Sequence, residues 1–178
     1  TTPPAKPVVN EVGDADTKIT GSTEANATVY AKVGQTEIGR ATVTSSGAFS
    51  IPISRQKAGT VIDVYAEDAA NNVSTATRVT VEDVTAPASP TVNKVTDQST
   101  TVTGTAEKGS VVTVKIGTNT WSGSVDSQGA FSVSISKQKA GTVVEATAKD
   151  SAGNVSTATK VTVVDATAPA SPTVNKVT

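Results

Sequence analysis

The 178-residue chain contains no cysteine, no histidine and no methionine. Without cysteine no disulfide can staple the fold, and thiol catalysis and thiolate metal sites are excluded. Without histidine the commonest general base and the imidazole metal ligand are missing. Aromatic residues make up 3% of the chain, as Tyr30, Phe49, Tyr65, Trp121 and Phe131. The core must therefore be built from valine, isoleucine and alanine around one phenylalanine in each half. Neither sign of charge is in excess: 15 Lys and Arg stand against 16 Asp and Glu. That balance gives no electrostatic case for nucleic acid or an anionic membrane as partner. No apolar run is long enough to cross a bilayer, and the chain opens with no signal-peptide pattern. There is no glycine-rich phosphate loop, and the remaining acids, lysines, serines and tyrosines form no recognisable catalytic constellation. The expectation is a non-enzymatic protein.

What the chain does have is repetition. Gly47-Ala48-Phe49-Ser50 returns 82 positions on as Gly129-Ala130-Phe131-Ser132, and Asn72-Val73-Ser74-Thr75-Ala76-Thr77 returns as Asn154-Val155-Ser156-Thr157-Ala158-Thr159. Thr167 to Thr178 copies Thr85 to Thr96 without a change. A chain that starts a third copy reads as a piece of a longer array, and a first residue Thr1 in place of Met fits an excised or processed fragment. Function is then expected to lie in the array, as reach and spacing.

Period-2 alternation runs through both copies and no helical periodicity persists. Ala27, Val29, Ala31 and Val33 share one face of a strand, with Thr28, Tyr30 and Lys32 on the other. Their counterparts are Val112, Val114 and Ile116 inward, and Val111, Thr113 and Lys115 outward. Phe49, Ile51 and Ile53 form a second inward row, repeated as Phe131, Val133 and Ile135; Ile62, Val64 and Ala66 form a third, repeated as Val144, Ala146 and Ala148. One apolar and one polar face per strand is the mark of antiparallel sheets packed over one core. Seven short strands per copy are predicted, near 7–12, 17–21, 27–33, 36–43, 48–53, 61–67 and 73–81, then near 90–95, 100–105, 110–116, 119–125, 130–135, 142–149 and 155–164. That count, at short regular spacing, predicts an all-β chain of tandem seven-strand β-sandwiches. The first repeat is assigned residues 1–83, a proline-containing linker 84–89, the second repeat 90–165, and a linker with the first strand of a truncated third repeat 166–178. Pro52 cannot donate to a ladder, so its strand is expected to be a sheet edge or to present that amide position outward. The offset between copies falls from 83 to 82 between Gly34 and Val43, so one residue is lost in a loop or edge strand there. At the offset of 83, Trp121 stands in the place of Ile38. Phe49 and Phe131 are expected to be the largest fully buried side chains. The last strand, Thr173 to Val177, is expected to pack against a neighbouring molecule, since its proline leader should carry it away from the second sandwich.

Four stretches together resemble the bacterial immunoglobulin-like domains: Gly104-Thr105-Ala106-Glu107, Gly129-Ala130-Phe131-Ser132, Gln138-Lys139-Ala140-Gly141-Thr142, and Asp150-Ser151-Ala152-Gly153-Asn154-Val155-Ser156. The Asp-x-Thr-Ala-Pro-x-x-Pro junction belongs to the same resemblance, which covers essentially the whole chain. The paired cysteines and core tryptophan of antibody domains are absent. The resemblance implies tandem immunoglobulin-like sandwiches of the kind found in surface proteins and adhesins, especially of Gram-positive bacteria. It implies a spacer or stalk in an exported, cell-wall or cell-surface protein, an adhesin in the first instance. The partners implied are neighbouring repeats of the same chain, with a host or cell-wall ligand reached through other parts of the parent. The alternative is a ligand-binding module recognising a host protein or glycan, and Tyr30, Tyr65 and Trp121 are the departures between copies that would serve it.

Among site residues, Asp68-Ala69-Ala70-Asn71-Asn72 and its copy Asp150-Ser151-Ala152-Gly153-Asn154 read first as a tight aspartate-capped turn, Asn and Gly being the residues that accept positive φ. The functional reading is calcium. In a seven-strand sandwich the loops carrying Glu107 and Asp150 lie at the end where the chain enters, beside the linker residue Asp83. Three converging carboxylates could hold a hard, oxygen-seeking cation and stiffen the junction, as interdomain calcium does in some large bacterial adhesins of similar build. Glu24 and Asp68 are the equivalents in the first repeat, while Asp14 and Asp16 persist only as Asp97 and Ser99. Arg55 and Lys57, repeated as Lys137 and Lys139, are expected at the exit end, facing the acidic incoming end of the next repeat. Lys18, Lys32 and Lys115 fall on polar faces, which argues against a lysine–asparagine cross-link.

Overall fold

The computed structural model describes residues 2–172, and every regular element in them is a β-strand. The predicted contacts of Thr173 to Val177 lie outside the described residues. The chain divides into two compact units, Thr1–Thr85 and Ala86–Thr178. In the first, β1 (Val8–Val9), β2 (Lys18–Ser22) and β5 (Ala48–Pro52) form one antiparallel sheet in the order β1-β2-β5. β3 (Thr28–Val33), β4 (Thr36–Thr42), β6 (Val61–Glu67) and β7 (Thr77–Thr80) form the other, in the order β4-β3-β6-β7. The second unit repeats this with β8 (Thr91–Val92), β9 (Thr101–Thr105) and β12 (Ala130–Ser134) in one sheet. β10 (Val111–Ile116), β11 (Asn119–Ser124), β13 (Val143–Lys149) and β14 (Thr159–Thr162) make the other.

The alternating residues meet between the sheets. Ile19, Val29, Ala31, Phe49, Ile51, Ile62, Val64 and Ala66 are buried together in the first unit, and Val102, Val112, Val114, Phe131, Val133, Val144, Ala146 and Ala148 in the second. Val33 is only partly buried. β5 pairs with β2 alone, so Pro52 sits on an edge strand as its missing amide requires.

Two expectations are corrected. Phe49 and Phe131 are buried, each 4% exposed, but the largest side chains fully closed from solvent are Ile19, Ile51 and Ile62. Each phenylalanine lies across a glycine one rung from the end of its ladder, Gly21 opposite Phe49 and Gly104 opposite Phe131, and not at the centre of the core. A Cβ on Gly21 would stand 2.0 Å from the Val8 carbonyl oxygen, and one on Gly104 would stand 1.9 Å from that of Thr91. The second correction concerns Trp121. In β10 and β11, Val114 pairs with Trp121 in an unbroken ladder. In β3 and β4, Ala31 pairs with Gly39 and Lys32 with Glu37, leaving Ile38 as an unpaired bulge residue. Trp121 therefore occupies the rung of Gly39, and the residue lost between the repeats is the bulge.

Candidate functional site

The acidic turns are closed on themselves. Asp68 Oδ1 accepts from the amides of Ala70 at 2.8 Å and Asn72 at 2.9 Å, and its Oδ2 accepts from Asn72 Nδ2 at 2.7 Å. Asp150 Oδ1 accepts from the amides of Gly153 at 2.7 Å and Asn154 at 2.8 Å, and its Oδ2 from Asn154 Nδ2 at 3.0 Å. Asn71 has φ 61° and Gly153 φ 101°, the positive values the turn demands. Hydrogen bonds from Asn72 hold the Asp68 carboxyl below its ordinary range. At Asp150 burial pulls upward, but the bonds from Asn154, Gly153 and Ala152 together outweigh it and the carboxyl again ends low.

Of the three residues proposed for calcium, Asp83 lies in the first unit, where its Oδ1 accepts from the Thr85 amide at 3.3 Å. Glu107 is exposed in the turn before β10 and Asp150 is half-buried after β13. Within either unit, no group of three or more acidic side chains among the described residues is arranged to hold a metal ion. The basic loop does lie beside the exit, where Lys137 donates to Gln98 Oε1 at 2.8 Å, and Lys137 and Lys139 line a hollow with Asp97 and Asp165. The exit is thus mixed in charge, not simply basic.

That exit holds a site the sequence reading passed over. After β1 the chain leaves its sheet and pairs in parallel with the segment following β7, through a bridge between Gly13 and Glu82. The Glu82 amide donates to the Val12 carbonyl at 2.8 Å and the Asp14 amide to the Glu82 carbonyl at 2.8 Å. The next bond of such a ladder would run from the Val84 amide to the Asp14 carbonyl. It runs instead to Asp14 Oδ1, at 3.0 Å, because the backbone has turned away with the Asp16 amide bonded to the Gly13 carbonyl. The second unit does the same: Val164 bonds Val95, Asp97 bonds Val164, and the Ala166 amide donates to Asp97 Oδ1 at 2.8 Å. The hydroxyls of Thr85 and Thr167 donate to Asp14 and Asp97 respectively, and both carboxyls are held below the usual range by these bonds to the exit segment. Asp16 accepts from the Gly13 amide at 2.8 Å, and Ser99 accepts from the Thr96 amide at 3.0 Å. The change from Asp16 to Ser99 therefore keeps the role. A signal was legible in the pairing of Asp14 and Asp97 with the recurrent Asp83-Val84-Thr85 and Asp165-Ala166-Thr167.

Prolines precede the first strand of each repeat. Pro4, Pro7, Pro87 and Pro90 are buried. The Thr77 hydroxyl donates to the Pro7 carbonyl, and Thr159 to that of Pro90 at 2.5 Å.

On the outer face of the first unit's larger sheet, Tyr30 and Tyr65 stack at a centroid separation of 5.2 Å with planes 15° apart. Lys32 Nζ lies 5.3 Å from one ring centre and 5.8 Å from the other. Thr113 and Thr147 take the tyrosines' places in the second unit. Trp121 is half-buried against the second core, the covering role more usual for a lone tryptophan.

The family model described as bacterial Ig domain matches residues 3–83 and again 86–165. The chain is 31% identical over 157 residues to the cell wall-associated protease of Bacillus subtilis (strain 168), covering 87% of this chain and 17% of that protein. Among solved structures it is similar to the BSP domain of a biofilm-associated protein, at 26% identity over 92% of this chain and 30% of the other, with a TM-score of 0.43. It is also similar to a structure of a 1.5-MDa bacterial ice-binding adhesin, at 23% identity over 93% of this chain and 66% of the other, with a TM-score of 0.41.

Proposed function

The chain belongs to the bacterial Ig domain family, and from that premise we propose that its repeats are non-catalytic spacer modules of a bacterial cell-surface protein, setting the distance between other parts of that protein. The observation that carries this reading is interchangeability. The second unit reproduces the first strand for strand and sheet for sheet, so the two repeats present one architecture twice. A spacer needs that property because length is the sum of equivalent units. Likeness to a cell wall-associated protease supports an exported location. The test is a chain with the order of the two repeats exchanged, which should keep the solution dimensions and melting behaviour of the original. A collapsed or unstable exchanged chain would count against equivalence.

Calcium fits the same scheme as a stiffener, with Asp83, Glu107 and Asp150 as its ligands. A carboxylate offers about four lone-pair sites, and hydrogen bonds from Asn154, Gly153 and Ala152 to Asp150 are already in place. A cation there would rely mainly on the other two residues. A melting temperature and solution length that rise in millimolar calcium over chelator support the site; superimposable curves remove it.

A ligand-binding role has one observation in its favour, the Tyr30–Tyr65–Lys32 group confined to the first repeat. Stacking occupies one face of each ring, which leaves less aromatic platform than two separate tyrosines would give. Replacing both tyrosines by the threonines of the second repeat and comparing glycan-array and matrix-protein binding decides it. Unchanged binding profiles leave the spacer reading alone.

A further inference from the structure

The exit segment is held by more than the covalent chain. We infer that Asp14 is a latch that fixes the direction in which the chain leaves the first repeat, and that Asp97 does the same for the second. The latch rests on the spacer reading and goes beyond it by assigning the stiffness of the joint to one residue.

Three observations carry it. First, the carboxylate continues a ladder that the backbone has abandoned. Its Oδ1 takes the amide that its own carbonyl would have taken, at 3.0 Å from Val84 in one repeat and 2.8 Å from Ala166 in the other. An amide at a parallel-ladder end otherwise has only water as partner. Second, the seat beneath the exit segment is shaped to it. A Cβ on Gly13 would lie 2.6 Å from a Val84 methyl. In the second repeat Thr96 supplies that Cβ, and Ala166 stands where Val84 stood. A larger residue below is matched by a smaller one above, as a real contact requires. Third, little slack follows the latch: Thr85 is bound to Asp14, the Thr159 hydroxyl holds the Pro90 carbonyl in the following unit, and Pro87 between them is buried. Proline fixes one of the two torsions available just beyond.

The experiment uses the two-repeat chain, which has no native cysteine. Gln35→Cys and Thr118→Cys place one spin label in the exposed turn of each repeat, and pulsed dipolar spectroscopy reads the distribution of distances between them. The parent should give one narrow distribution. Asp14→Ala should broaden it while both repeats stay folded, with only a small drop in the melting temperature of the first, since the variant removes an exposed contact outside the core. Asp14→Asn should restore the narrow distribution, because its amide oxygen still accepts from Val84 and its nitrogen can donate to the Thr85 hydroxyl. Gly13→Thr should broaden it, and Gly13→Thr with Val84→Ala should narrow it again. A narrow distribution in Asp14→Ala, or an Asp14→Asn variant as broad as Asp14→Ala, overturns the latch. A broad distribution in the parent instead overturns the stiff-spacer reading itself.

Discussion

Ser74 and Ser156 are among the few buried polar side chains, at 6% and 7% exposure. Each hydroxyl accepts from a strand amide, Ala66 or Ala148, at 2.9 Å, and donates to the carbonyl of the next residue, Thr75 or Thr157. The serine thus fills a rung where β7 and β14 have not yet begun. Ser156→Ala would leave the Ala148 amide buried and unpaired, and should cost about 1–3 kcal/mol, measured by thermal or urea unfolding of the second repeat; an unchanged midpoint would mean water replaces the hydroxyl. Phe131→Ala should cost about 3–5 kcal/mol by the same measurement, even though the ring lies toward one end of the core. The inward rows were legible because alternation in a two-layer protein leaves only one face for apolar side chains. The serine was not, since a lone serine in a Thr- and Ser-rich stretch carries no pattern that marks it as buried.

At the scale of elements, glycine decides how closely strands approach. Gly104→Ala would drive a methyl group into the Thr91 carbonyl and the Phe131 ring, displacing β8 from β9. The expected loss is about 3 kcal/mol or more, with faster amide exchange at Asn93, whose amide bonds Thr103; wild-type exchange there would contradict the geometry. The bulge makes a sharper prediction. Gly39→Trp alone should be severely destabilising, because a Cβ there meets the Pro52 carbonyl at 2.2 Å. Gly39→Trp with Ile38 deleted should recover much of the loss, since it recreates the regular ladder of β10 and β11. If the deletion gives no recovery in melting temperature, the bulge is not what separates the two repeats. The offset change from 83 to 82 located the lost residue to within a few positions. It could not say which residue stood out of the ladder, because register is set by cross-strand bonds, and carrying the offset of 83 as far as Trp121 picked Ile38, the neighbour of the true counterpart.

For the whole molecule, charge sets the response to pH. Hydrogen bonds hold Asp14, Asp97 and Asp68 below their ordinary values; ion pairs with Arg78, Arg40 and Lys160 do the same for Asp63, Glu37 and Glu145. A carboxyl depressed in the folded state stabilises it above the unfolded pKa, and that contribution disappears as pH falls through the folded value. The melting temperature should therefore stay level from neutral pH down to about 5 and decline as pH passes below about 4. A melting temperature that rises on acidification would contradict the assigned partners. The same groups explain why the joint was only half legible. The stiff prolines are visible in the sequence, but Asp14 and Asp97 act across about 70 residues of chain, and only the parallel pairing of the exit segment brings them to it.

The most direct test of the account is the solution length of one, two and four repeats measured by small-angle X-ray scattering. Rigid, equivalent spacers add a constant increment, so the maximum dimension should rise linearly with repeat number. A length that grows roughly as the square root of repeat number, as for freely jointed units, would contradict it.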